Sequence, residues 1–208
     1  MNVGILGGTF DPVHLGHLSI AESAIEQVSL DRVLFIPAGH PRLKQAEPAA
    51  SVLDRLEMVR LATTDNPRFK VCDLEAHRPG PTYTVDTLAQ LTAELGSTSN
   101  LFFILGLDVL GQLDRWKDPA RVLEMCQMLV SDRPGEQQFD WADFYCRVPE
   151  AEGRVLTINA PLIDISATKL RRKVAAGENL AGETPKLVAE YINEQRLYLT
   201  TEDERSVS

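Results

Sequence analysis

The sequence predicts an α/β fold: a doubly wound, mostly parallel sheet with helices on both faces. Three observations carry this. Short apolar runs alternate with helix-periodic stretches from end to end, the pattern of parallel strands joined by right-handed crossovers. The run Leu101-Phe102-Phe103-Ile104-Leu105 is apolar without interruption, as a central strand covered on both faces requires. The chain of 208 residues shows no internal repeat, low-complexity segment or interdomain linker, so residues 1–208 are expected to form one domain. Within it, 160–200 is expected to be a helical subregion and 201–208 a disordered tail.

Val3 to Leu6 reads as a short buried strand. Gly7-Gly8-Thr9-Phe10-Asp11-Pro12-Val13-His14-Leu15-Gly16-His17 follows it, and Leu18 to Val28 has helical periodicity. This is a strand-loop-helix corner. Gly7 and Gly8 let a ligand approach the backbone closely, and Pro12 suits the opening of a helix. His14 and His17, three apart, share one helix face. They lie at a first turn whose N–H groups and dipole favour an anion. The corner is neither Gly-x-Gly-x-x-Gly nor a Walker loop; two imidazoles at a positive helix end describe a polyphosphate site.

Val33 to Ile36 is the second strand, and residues 40–48, with Arg42 and Lys44, read by themselves as a solvated loop and, beside the first motif, as a mobile lid carrying cations. Ser51 and Asp54 have capping-box-like spacing ahead of a helix over Val52 to Ala62. Phe69 to Cys72 is the next strand. Arg78-Pro79-Gly80-Pro81-Thr82-Tyr83-Thr84 is a rigid turn feeding a helix over Val85 to Leu95, with Thr84 as its expected N-cap. The N–H groups of that helix start suit a carboxylate or phosphate; equally, Thr84 and Asp86 read as simple capping residues. Gly106-Leu107-Asp108 sits at the carboxyl end of the apolar strand, where ligands bind in open α/β sheets. Trp116 stands in the polar setting Asp114-Arg115-Trp116-Lys117, without apolar neighbours in sequence. Gln127 to Ser131 is a strand, 136–153 an irregular or helical excursion, and Arg154 to Ile158 the last strand. Ser166 caps a helix carrying Thr168, Lys169, Arg171, Arg172 and Lys173. Cations at a helix N-terminus oppose its dipole, and an anion site is a reason to place them there. Gly177 stops this helix, and a final one spans Pro185 to Glu194.

Composition bounds the function. Hydrophobic content of 44% and charged content of 25% are ordinary for a globular protein with a core. No apolar stretch approaches the ~20 residues of a membrane helix, and no signal peptide is expected at the N-terminus. Cys72, Cys126 and Cys146 lack metal-ligand spacing and read as reduced thiols of a cytoplasmic protein. A net charge of −9 argues against a general nucleic-acid binder. If the ligands are anionic, local cations must outweigh that field.

Together these motifs resemble one family over about residues 2–200: the bacterial nicotinate-mononucleotide adenylyltransferases of the nucleotidyltransferase superfamily, with its His-x-Gly-His signature. The carriers are the Gly7–His17 run, the Lys44 loop, Asp54-Arg55-Leu56-Glu57-Met58, Gly80 to Thr84 with Asp86-Thr87, Gly106-Leu107-Asp108 with Trp116, Arg133-Pro134-Gly135, and Ile165-Ser166-Ala167-Thr168 with Arg171. The resemblance implies a Rossmann-like fold and transfer of the adenylyl group of ATP to nicotinate mononucleotide, giving nicotinate adenine dinucleotide and pyrophosphate in NAD biosynthesis. It implies that His14, His17, Lys44 and Arg171 surround the triphosphate as the catalytic set, and that Gly7, Gly8, Thr9, Phe10, Gly106, Asp108, Ser166 and Thr168 bind ATP. It also implies that Thr82, Tyr83, Thr84, Trp116 and Arg133 bind the mononucleotide. Mg²⁺ would ride on the ATP phosphates, with no protein metal site. Partners would be ATP and nicotinate mononucleotide, without nucleic acid or membrane; assembly into a homo-oligomer is left open.

Three positions depart from the family pattern: Ala167 replaces a serine, Pro41-Arg42-Leu43-Lys44 lacks the usual Pro-His, and Leu107 replaces an alanine. Two rival readings are another transferase of the superfamily, such as a phosphopantetheine adenylyltransferase or a cytidylyltransferase, and a non-catalytic nucleotide-binding module. The first leaves residues 80–116 unexplained; intact His14, His17 and Arg171 argue against the second.

Overall fold

The computed structural model describes residues 1–40, 47–132, 139–161 and 163–199. Its elements in chain order are β1 (Asn2–Gly8), α1 (Leu15–Val28), β2 (Arg32–Pro37), α2 (Val52–Thr63), β3 (Phe69–Val71), α3 (Thr84–Leu95), β4 (Asn100–Gly106), α4 (Leu107–Leu110), α5 (Pro119–Met125), β5 (Gln127–Asp132), α6 (Trp141–Arg147), β6 (Val155–Asn159), α7 (Ala167–Ala175) and α8 (Lys186–Glu194). The six strands form one sheet in the order β3-β2-β1-β4-β5-β6, every pairing parallel. Successive strands are therefore joined by crossovers, and the chain turns back between β1 and β4.

Alternation along each strand sends its side chains to two different cores. Leu6, Val33, Phe35, Phe102, Ile104 and Leu129 join α1, α2, α7 and α8 on one face. Val3, Ile5, Leu34, Ile36, Leu101, Phe103, Leu105, Met128 and Val130 join α3, α5 and α6 on the other. Each fully buried Leu, Ile or Phe contributes about 1.5–3 kcal/mol, so both faces of the central strands are held by side chains the chain cannot expose cheaply. This is the doubly wound α/β class that the sequence predicts.

The reversal of strand order opens the site. β1 pairs with β4 as far as Leu6 and Ile104, but it runs on beside β2 to Gly8 and Pro37. β4 runs on beside β5 to Gly106 and Ser131. The two central strands part at their carboxyl ends, and a crevice at such a switch point is where open α/β sheets bind ligands.

Several sequence expectations are corrected. Helix α1 begins at Leu15 with His14 as N-cap, so Pro12 lies in the preceding turn, not at the helix opening. Tyr83, not Thr84, is the N-cap of α3. Helices α4 and α5 were not expected; α5 has Asp118 as its N-cap, accepting from Arg121 N–H, with Pro119 in the first turn. Of the two readings offered for 136–153, the described residues 139–153 take the helical one, with α6 in it, and Phe144, Val148 and Ala151 are buried in the α3–α5 core. The lid residues 41–46 and the tail 201–208 lie outside the described residues.

Candidate active site

A cleft of about 1120 Å³ occupies the crevice. At one end it is walled by the β1–α1 corner. His14 is buried and His17 half-buried; their rings stack with centroids 3.7 Å apart. The His14 N–H donates to His17 Nδ1 at 3.2 Å. A neutral His17 therefore carries its proton on Nε2. Gly16 makes room for this stacking: a Cβ there would stand 3.0 Å from His14 Nδ1, tighter than ordinary contact. Phe10 is 2% exposed and meets the His17 ring edge-on at 5.0 Å, so its ring supports the histidine from the core side. The first helical N–H, that of Leu15, donates to the Glu183 carbonyl at 3.0 Å; this amide is engaged by the protein and is not part of an anion nest.

Helix α7 closes the same end. The Ser166 hydroxyl accepts from Lys169 N–H at 3.3 Å, and Ser166, Thr168 and Arg171 line the cleft. Arg171 Nη1 donates to the Asp11 carbonyl at 2.7 Å and stands 3.6 Å from Asp11 Oδ2. The other cations of this helix do not converge on the cleft. Lys169 pairs with Asp164 at 2.8 Å and Lys173 with Glu183 at 2.6 Å. Arg172 and Lys173 belong to the last turn, where cations complement the dipole. Of the four cations concentrated in this helix, Arg171 alone lines the cleft.

Gly106 and Asp108 border the middle of the cleft. Asp108 Oδ1 folds back so closely that a Cβ on Gly106 would come within 2.5 Å of it. Opposite the histidines, Thr82, Tyr83 and Thr84 bring the start of α3 to the wall, with Trp116 and Lys117 beside them. Lys117 Nζ lies 4.5 Å above the Tyr83 ring and pairs with Asp86 at 3.0 Å. Trp116 is not in a polar setting: it packs edge-on to Phe103 at 5.6 Å, against the α3–α5 core. Lys44 and Arg133 lie outside the described residues. Every other residue expected at the site lines this one cleft. Among the described residues, no group of three or more His, Cys, Asp or Glu side chains is arranged to hold a metal ion.

A profile described as cytidylyltransferase-like matches residues 5–173. A probable nicotinate-nucleotide adenylyltransferase of Thermomicrobium roseum is 43% identical over 200 residues, covering 96% of this chain and 92% of its own. One from a Roseiflexus species is 45% identical over 196 residues, covering 94% and 97%. This chain belongs to the nicotinate-nucleotide adenylyltransferase family. In fold it matches a Plasmodium falciparum nicotinic acid mononucleotide adenylyltransferase complexed with NaAD, with a TM-score of 0.76 at 20% identity, covering 95% of this chain and 97% of the other.

Two residues of this adenylyltransferase-family site carry more than the sequence reading gave them. Arg55 is 1% exposed, with Nη1 on the Thr9 carbonyl at 2.7 Å and Nη2 on the Gly39 carbonyl at 3.3 Å. It ties the loop after β1 to the loop after β2. Burial lowers its pKa, while the charge of Asp11 pulls it back up. Asp11 is 4% exposed; it accepts from Ala49 and Ala50 N–H at 2.8 and 3.1 Å and so fixes the backbone beyond residue 48. Arg55 lies beside Leu56, Met58 and Val59 on the buried face of α2, where a charge needs partners.

Proposed function

We propose that the chain transfers the adenylyl group of MgATP to nicotinate mononucleotide, releasing pyrophosphate and forming nicotinate adenine dinucleotide for NAD biosynthesis. The observation that carries this is the meeting, across one cleft at the sheet's switch point, of the His14–His17–Arg171 end with the Thr82–Thr84 and Trp116 end. A triphosphate suits the first end and a flat acidic ring the second. The mononucleotide phosphate attacks the α-phosphorus in line, and pyrophosphate leaves. That nucleophile is already anionic, so positioning and charge stabilisation carry the catalysis and no general base is needed.

His14, His17 and Arg171, with Lys44, stand around the triphosphate; Ser166 and Thr168 assist as donors. Gly7, Gly8, Thr9 and Phe10 shape the floor under ATP, and Gly106 and Asp108 border its nucleoside. Thr82 to Thr84 take the nicotinate carboxylate, Trp116 flanks the pyridine, and Arg133 serves the mononucleotide phosphate. Mg²⁺ would be carried by the ATP phosphates, whose oxygens suit this hard cation. The chain works as one domain, in the cytoplasm, where free Cys72, Cys126 and Cys146 fit a reducing compartment. Among the described residues no helix is long and apolar enough to cross a membrane.

The test is pyrophosphate release from ATP with a panel of acceptors: nicotinate mononucleotide, nicotinamide mononucleotide, phosphopantetheine and, with CTP, glycerol phosphate. Turnover with the pyridine mononucleotides alone is expected. Turnover only with another acceptor, or with none, overturns the assignment.

A further inference from the structure

The end of the described chain reaches back into the first motif. After α8, Arg196 and Tyr198 both take left-handed backbone angles, φ 53° and 66°, which non-glycine residues seldom adopt. The Tyr198 ring packs against the α1–α2 core, and its hydroxyl donates to Asp11 Oδ1 at 2.9 Å. The same carboxylate accepts from Ala49 and Ala50 N–H and faces Arg171 Nη1 at 3.6 Å, while that Nη1 is held by the Asp11 carbonyl at 2.7 Å. Asp11 is buried, so its orientation is set by these donors; the guanidinium that enters the cleft is held by Asp11 at 2.7 Å, with its Nη2 donating to the Thr168 hydroxyl at a longer 3.4 Å.

We propose that Tyr198 is a positioning residue for adenylyl transfer: through Asp11, its hydroxyl sets where the Arg171 guanidinium stands against the triphosphate. The inference rests on the reading that Arg171 faces the phosphates. Ring and hydroxyl have separable tasks. The ring buries apolar surface, which Phe supplies equally. The hydroxyl is a neutral donor to a buried carboxylate, and without it one oxygen of Asp11 loses a partner. The guanidinium fork is a directional group, so a small displacement of Asp11 is felt as misalignment at the reacting phosphates.

The structure supplies its own control. Tyr191 on α8 donates to Asp54 Oδ1 at 3.0 Å, a bond of the same chemistry at the same end of the chain, leading to α2 and not to Arg171. Tyr198→Phe is expected to lower kcat about ten- to a hundred-fold, the usual cost of misplacing a catalytic group from a distance, with KM for the mononucleotide unchanged. Inorganic pyrophosphate, followed by calorimetry, should bind the variant about tenfold more weakly, since loss of a well-placed charged contact costs about that much. Tyr191→Phe should lower the melting temperature but leave kcat and pyrophosphate affinity at wild-type values. On an Arg171→Lys background, Tyr198→Phe should cost under about threefold more, because effects passing through one group are not additive.

If wild type bound pyrophosphate with a Tyr198-dependent affinity yet made no dinucleotide, the acceptor assignment would fall and the positioning role would stand. Equal effects of the two Tyr→Phe changes on kcat would overturn the proposal. So would full additivity with Arg171→Lys, or a Tyr198→Phe protein that fails to fold where Tyr191→Phe folds.

Discussion

At the scale of single residues, close approach decides more than composition. A Cβ on Gly39 would run into the Glu75 carbonyl oxygen, so only glycine lets the segment after β3 cross the end of β2. Gly39→Ala must push that backbone away, at a cost of about 1–3 kcal/mol for overpacking. Because Glu75 accepts from Thr87 on α3, the shift is passed to the acceptor wall. The expected outcome is a raised KM for the mononucleotide with KM for ATP little changed; an equal rise in both would show the shift reaching the histidine end instead. His17 carries two tasks that substitutions separate. His17→Ala should lower kcat by about two to four orders of magnitude through loss of a preorganised donor. It should also lose about 1 kcal/mol of stability, since the His14 N–H at the helix cap loses its acceptor. His17→Asn supplies an acceptor oxygen there and should recover the melting temperature without the rate. Recovery of rate along with stability would make His17 a cap and not a participant. The histidines were legible because both lie in one contiguous motif. Arg55 was legible only as part of a family pattern, because its partners, the Thr9 and Gly39 carbonyls, are distant in sequence.

At the scale of elements, periodicity found the strands and the long helices because each buries one stripe or both faces. It missed α5, seven residues opening on Pro119, which is too short to show two turns of pattern. It read Trp116 from its neighbours in sequence, whereas Phe103 reaches it from β4. Helix α3 is the element on which acceptor choice turns. Arg78 donates to Thr87 at 2.9 Å and to Gln90 at 3.1 Å, and Thr87 donates to Glu75 at 2.7 Å. These bonds pin the turn before α3 to its first and second turns and hold the helix start at the cleft. A nicotinate carboxylate only accepts hydrogen bonds and is negative where the helix dipole is positive. The amide of nicotinamide turns a donor toward donors, at a cost of about 1–3 kcal/mol. The expected preference for nicotinate mononucleotide is therefore about one to two orders of magnitude in kcat/KM. Trp116→Ala should weaken both acceptors and leave their ratio, since ring contact does not read the substituent. Measuring kcat/KM for both acceptors on wild type and variant decides it: a ratio that collapses in the variant moves discrimination to Trp116, and equal use by wild type removes the carboxylate pocket.

At the scale of the whole molecule, the sequence carried the class but not the adjacency. Nothing in the periodicity says that β1 lies beside β4, yet that pairing creates the crevice. Nor does it say that the last described turn returns to Asp11. Two phenols help to hold this region closed, Tyr191 on Asp54 and Tyr198 on Asp11, and both must stay protonated to donate. Burial, then the facing carboxylate, pushes the Tyr191 pKa up to about 12; burial and Asp11 raise that of Tyr198 as well. In the unfolded chain a tyrosine loses its proton near pH 10. Above that pH the unfolded state binds fewer protons than the native one, so stability falls as pH rises. The contribution of both hydroxyls is fully present below about pH 10, and that of Tyr191 is lost as pH climbs through about 12. The wild type should therefore melt at a nearly constant temperature up to about pH 10 and progressively lower beyond it. The Tyr191→Phe/Tyr198→Phe double variant should start lower at neutral pH, having lost both bonds, and then descend less steeply over the alkaline range. Melting followed by circular dichroism at neutral pH and at closely spaced points above pH 9 gives both slopes. Parallel slopes would mean that other groups govern alkaline unfolding and that the two phenols do not hold the chain's end to its beginning.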